Sequence, residues 1–145
     1  MTIIRPAEMG DINEVYSLAA DFATSFDVDR AAFNQTFGES LSEPNSYVAV
    51  AETQNRVGGY VLGFSHPAFY ANGHVAWVEE IAVEESFRRQ GVGRMLMSAF
   101  EEWATSRGAR LVALATRRAA SFYKEIGYEE SALYFRKIMQ GHDND

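Results

Sequence analysis

Apolar residues recur along this chain in two rhythms, one helical and one continuous, and the alternation between them divides it into helices and strands. Ile12, Val15, Tyr16, Ala19, Phe22, Ala23 and Phe26 fall on one helical face, so the spacing predicts a core-packed helix reaching about Phe26, opened by Asp11 with Glu14 three residues later. Phe33, Phe37 and Leu41 share a second stripe starting from Asp29, interrupted by Gly38 and ended at Pro44. Val92, Met95, Leu96, Ala99, Phe100 and Trp103 mark the buried face of a third helix, which Gly108 terminates. A short fourth helix spans Arg118 to Ile126 and closes at Gly127.

The continuous rhythm predicts strands. Ile3 to Pro6 opens the chain, and the runs from Ser46 to Glu52 and from Val57 to Phe64 read as an antiparallel hairpin turning at residues 53–56. A loop from Ser65 to Gly73 follows, then strands at His74 to Val83, Arg110 to Ala115 and Tyr134 to Met139. Residues 1–140 read as a single mixed α/β domain, and residues 141–145 as a frayed tail. No repeat or linker interrupts the pattern.

Composition narrows the functional classes. The chain has 145 residues, 47% of them hydrophobic, which is enough for one core. No segment approaches the roughly 20 apolar residues of a membrane span, and the first ten residues show no cleavable leader, so a cytoplasmic location without membrane association is expected. With no cysteine, disulfides and thiolate chemistry are excluded. A net charge of −7 argues against nucleic acid as the main partner. Residues 1–87 contribute −10 and residues 88–145 contribute +3, which suits a protein that grips an anion with its second half.

The candidate grip lies between Ile81 and Arg94, where a strand passes through a basic, glycine-bearing turn into an amphipathic helix. Gly91 and Gly93 can take positive φ and let a ligand approach the backbone, and the first amides of the helix lack intrahelical partners. Arg88, Arg89 and Arg94 add charge to the helix dipole, so a phosphate or pyrophosphate is the natural occupant. A Rossmann fingerprint would need glycine at Leu96, and a Walker A loop would need Gly-Lys-Ser/Thr; neither is present.

The pattern Arg88-x-x-Gly91-x-Gly93, preceded by Glu79 to Val83, resembles the acetyl-CoA motif of the GNAT superfamily of N-acetyltransferases. Two further stretches are similar to the family: Ile4 to Ala7 with Asp11, and Ala119 to Tyr128 with Phe122, Tyr123 and Gly127. The resemblance covers nearly the whole chain. It implies the GNAT fold, a mixed sheet splayed between its fourth and fifth strands to admit the pantetheine arm and flanked by about four helices.

It also implies residue roles. Acetyl-CoA would lie along Ile81, Ala82 and Val83, with its pyrophosphate on the amides of Arg88, Arg89, Gln90, Gly91, Val92, Gly93 and Arg94. The backbone amide of Val83 would receive the oxyanion, and Tyr123 would meet the coenzyme sulfur as proton donor. Thr116 stands where many members carry an asparagine that contacts the cofactor arm. For the catalytic base there are two neighbouring carboxylates, Glu79 and Glu80; relatives favour Glu79, and strict alternation would put Glu79 on the side of Ile81 and Val83 and Glu80 on the other.

The expected activity is transfer of acetyl from acetyl-CoA to a primary amine by direct attack in a ternary complex. The acceptor would be a small molecule or peptide, cationic in solution; a homodimer is common in the family. The alternatives are a non-catalytic acyl-CoA-binding module and an enzyme acting on a protein N-terminus or lysine. His66, His74 and His142 lack metal-ligand spacing, so no metal site is expected. Phe22, Phe26, Phe69 and Tyr70 are candidates to line an acceptor pocket.

Overall fold

The computed structural model describes residues 1–23 and 26–139; the expected tail at 141–145, with His142, lies outside them. Strands β1 (Thr2–Pro6), β2 (Ser46–Thr53), β3 (Arg56–Ala68), β4 (Gly73–Val83) and β5 (Ala109–Leu114) form one sheet in chain order, and helices α1 (Ile12–Phe22), α2 (Arg30–Ser42), α3 (Val92–Ser106) and α4 (Ala120–Glu125) surround it. The first four strands are antiparallel and β5 runs parallel to β4, so the long α3 is the crossover between them.

The sheet is covered on both sides, which is why its strands read as unbroken apolar runs. Ala49, Ala51, Val61, Ala76 and Val78 pack with Leu96, Met97, Phe100 and Ala104 of α3 and Tyr123 of α4. Val48, Val50, Val57 and Tyr60 pack instead with Val15, Leu18 and Ala19 of α1 and Phe37 of α2. Gly63 is required where it stands, because a Cβ there would collide with the Phe100 ring and with the Trp77 carbonyl.

Several local expectations are revised. The loop expected from Ser65 is mostly strand, since β3 and β4 stay paired to Ala68 and Gly73. Helix α1 stops at Phe22, short of Phe26. Asp11 does not cap it: the carboxylate accepts from the Arg5 guanidinium at 2.9 Å and from the Glu8 amide at 2.8 Å. Glu14 reaches across to the Val57 amide at 3.0 Å. Asp29 does cap α2, accepting from the Ala32 amide at 2.9 Å. Gln54 and Asn55 both take positive φ, as a tight two-residue hairpin turn demands.

The last expected strand, Tyr134 to Met139, is not formed. Residues 129–139 carry no regular structure, and Leu133, Phe135 and Met139 are exposed. A strand exists only through a partner's ladder, and apolar composition cannot supply one.

Candidate active site

Pairing between β4 and β5 ends at Val78 with Leu114, yet β4 continues to Val83 against β3. The sheet therefore forks after Val78, and Glu79 and Glu80 are the first two residues beyond the fork. Leu62 of β3 faces Glu80 whereas Gly63 faces Val78, so β4 carries one extra residue, Glu79, as a bulge. The bulge changes the phase of the alternation: Ala76 and Val78, then Ile81 and Val83, all pack on the α3 side. Both carboxylates fall in the gap between these pairs and leave that side, where strict alternation would have divided them. Glu80 is half-buried and accepts the Tyr60 hydroxyl at 2.7 Å, while exposed Glu79 accepts the Trp77 indole N–H at 3.0 Å.

Beyond the fork, the open edge of β4 offers backbone groups. The Glu84 amide donates to Gly58 of β3 at 2.7 Å, so by the alternation of strand N–H groups those of Val83 and Ile81 point away from β3, towards the fork. The Val83 carbonyl points the same way and is taken by Arg88 Nε at 2.9 Å. Arg88 is thus a tether between the loop and the strand as well as a charge. Phe87 fixes the other side of the loop, lying where a side chain at Gly58 would be.

The loop itself ends in a left-handed step. Gly91, at φ 78°, precedes α3, whose first main-chain bond runs from the Met95 amide to the Gly91 carbonyl at 3.0 Å. The amides of Val92, Gly93 and Arg94 therefore have no intrahelical partner and face the loop at the positive end of the dipole. Arg89 shares the positive φ, at 65°, and Gly93 is helical; the left-handed pair is thus Arg89 and Gly91, not the two glycines. A Cβ on Gly93 would stand in ordinary contact with the Phe122 ring of α4, 3.4 Å away, so α4 lies beside the start of α3, with Tyr123 on its buried side.

Residues 12–128 match the Acetyltransferase (GNAT) family. The chain belongs to that family. Aminoalkylphosphonate N-acetyltransferase from Salmonella typhimurium is 30% identical over 143 residues, which span 94% of this chain and 90% of the relative. Aminoglycoside N(6′)-acetyltransferase type 1 from the same organism is 30% identical over 105 residues, 63% of this chain and 68% of the relative. Among solved structures, an aminoglycoside N-acetyltransferase in complex with CoA superposes with a TM-score of 0.82 at 22% identity, covering 94% of this chain and 95% of that one. The protein is an acyltransferase with the GNAT fold, of a family that uses acetyl-CoA.

Electrostatics differ across the fork of this GNAT enzyme. Burial, opposed by the Tyr60 hydrogen bond and reinforced by the Glu79 charge, pushes the Glu80 carboxyl above the ordinary carboxylate range. Burial likewise raises the Tyr123 phenol, which stays protonated at neutral pH and able to donate. Thr116 keeps its hydroxyl occupied, accepting from the Ala119 amide at 3.1 Å ahead of α4.

Two features escaped the sequence reading. Tyr60 sits in an apolar run that gives no sign of a carboxylate partner, and Trp77 stacks on Tyr134, with centroids 6.3 Å apart and planes 19° from parallel. Phe69 and Tyr70 do not belong to the fork: they are exposed at the β3–β4 turn, the far end of β4 from Val83. Among the described residues, no helix is long and apolar enough to cross a membrane.

Proposed function

We propose that this enzyme acetylates the primary amine of a small cationic molecule, using acetyl-CoA in a ternary complex. The observation that carries the reading is the fork: two carboxylates stand at its mouth, and a cradle of free amides closes the end of the same strand. Arg88 to Arg94 hold the pyrophosphate, and the outward amide of Val83 meets the pantetheine arm. That cradle fits the group because its unpartnered donors are backbone N–H groups at a helix start.

An amine is mostly ammonium at neutral pH, so one carboxylate must take its proton. We assign that role to Glu80, which is held in place and raised in basicity, in preference to Glu79, which the resemblance favoured. The neutral amine attacks the thioester carbonyl, the outward amide of Ile81, which adjoins Glu80, donates in place of that of Val83 to the oxygen that gains charge, and the carbon–sulfur bond breaks. Tyr123 supplies the proton to the departing thiolate, and its phenolate is restored from solvent, which takes up the proton the nitrogen sheds as it becomes an amide.

Two relatives point to different acceptors. An aminoalkylphosphonate carries an anion beside its amine, whereas an aminoglycoside is polycationic. Glu79 and Glu80 together disfavour the anion and support the cation. The same reading takes residues 1–140 as one cytoplasmic catalytic domain and, because Leu133, Phe135 and Met139 are exposed on a segment outside the sheet, a homodimer.

The test is CoA release from acetyl-CoA over a panel of polyamines, aminoglycosides, aminoalkylphosphonates and basic peptides. Cationic small molecules are expected to give the highest kcat/KM. Preference for an aminoalkylphosphonate refutes the acceptor class, preference for a peptide makes the protein a protein acetyltransferase, and no turnover with any amine refutes the catalytic reading.

A further inference from the structure

Tyr60 is 2% exposed, and its ring lies in the apolar layer between the sheet and helices α1 and α2, among Val15, Leu18 and Phe37. A phenylalanine would fill that volume equally well, so packing gives no reason for the hydroxyl. The hydroxyl instead reaches the fork and donates to Glu80 Oε1 at 2.7 Å. The bulge makes this contact possible. Leu62 faces Glu80 and Tyr60 faces Ala82, so the extra residue at Glu79 brings Glu80 onto the face that Tyr60 occupies, as its diagonal neighbour.

No other element competes for Glu80. It takes part in none of the ion pairs among the described residues, which join Arg5 to Asp11 and Glu52, and Arg56 to Glu84. On α1, Asp11 is held by Arg5 and Glu14 by the Val57 amide. On α2, Arg30 lies over the Tyr16 ring and bonds Asn34. Tyr123 packs on the opposite face of the sheet, in the α3 layer. The groups that act on Glu80 are thus Tyr60, which favours its ionised form, and Glu79, which opposes it.

We propose that Tyr60 is the positioning residue that selects Glu80 as the base: it binds one carboxylate oxygen from the core side and leaves the other for the proton of the acceptor ammonium. This inference deepens the acetyltransferase reading and rests on its assignment of Glu80. Glu79, itself exposed and bonded only to the Trp77 indole, has no such anchor; it contributes charge to the mouth of the fork.

The experiment compares Tyr60→Phe, Glu79→Gln and Glu80→Gln by the pH dependence of kcat/KM, and follows the Glu80 carboxyl of the free protein by carbon-13 NMR. Tyr60→Phe keeps the ring and the core. Its acidic limb should move to higher pH, with a loss of about 10-fold on the acid side, the size a hydrogen bond to an ionised group carries. Glu79→Gln removes a like charge and should move the limb the other way.

A uniform loss in Tyr60→Phe with the limb unmoved, or an unmoved Glu80 titration by NMR, overturns the positioning role. If Glu80→Gln keeps the acidic limb, the proposal also fails, and the NMR titration then shows whether the fault lies in the contact or in the choice of base.

Discussion

The loop at Gly91 and the fork at Glu80 lie at opposite ends of the open half of β4, and they are built from different materials. At the loop, main-chain geometry would do the proposed binding: left-handed φ at Arg89 and Gly91, free amides from Val92 to Arg94, and a carbonyl tied down by Arg88. At the fork, side chains would do the proposed chemistry: Glu80 on Tyr60, Glu79 on Trp77, and Tyr123 buried across the sheet. Backbone devices leave a mark in sequence because few residues can adopt them, whereas side-chain devices depend on which strands meet and in what register. On the proposed reading the loop would serve any acyl-CoA, and the fork would choose the acceptor.

The contrast is sharpest in kinetics. Glu80→Gln should lower kcat by about 100-fold to 10,000-fold, the usual contribution of a positioned acid or base, while Glu79→Gln stays within about 10-fold. Equal losses in a stopped assay at saturating substrates would dissolve the distinction between the two carboxylates. Tyr123→Phe should fall in the same range or lower, with acetyl-CoA affinity by calorimetry nearly unchanged. A large drop in affinity would make Tyr123 part of the binding loop.

At the loop the pattern should invert. Gly91→Val forces a β-branched residue into a left-handed step, at a cost of roughly 1–2 kcal/mol, and should displace the amides proposed to hold the phosphates. Acetyl-CoA binding should weaken at least 10-fold, while circular dichroism shows a folded protein and kcat at saturation is largely retained. An unchanged dissociation constant would remove the loop from the site.

The smallest effect concerns salt. If Glu79 attracts the acceptor through solvent, raising ionic strength from about 0.01 M to 1 M shortens the screening length from roughly 30 Å to 3 Å and should lower kcat/KM for a polyamine several-fold. Glu79→Gln should flatten that dependence. The acidic limb follows from the role proposed for Glu80: its pKa lies above the ordinary value, so if Glu80 is the base, activity should disappear on acidification at a pH above the usual glutamate value of about 4.3.

The architecture was legible wherever burial imposed a rhythm. The amphipathic spacing of Val92, Leu96 and Phe100 located α3, and the unbroken runs located β2 to β5 because helices cover both faces of the sheet. It was illegible where the outcome depends on a distant partner. Tyr134 to Met139 has a strand's composition without a strand's ladder, and Asp11, read as a helix cap, is held by Arg5 instead. The candidate site shows the same split. Arg88, Gly91 and Gly93 marked the turn into α3, although not which backbone units turn left-handed. Counting alternate residues assigned Glu79 and Glu80 to different sides, and a single bulge, set by how β3 pairs with β4, reverses that count.

The Trp77 indole, bonded to Glu79 and stacked on Tyr134, gives this protein its own optical gauge of the fork. The chain has only two tryptophans, and Trp103 on α3 stacks on Tyr47 on the other side of the sheet, 5.2 Å between centroids. Replacing Trp103 by phenylalanine would leave one emitter beside the carboxylates. An acceptor that displaces the Tyr134 ring or binds Glu79 should then change the emission, and with no acetyl-CoA present the signal reads acceptor binding alone.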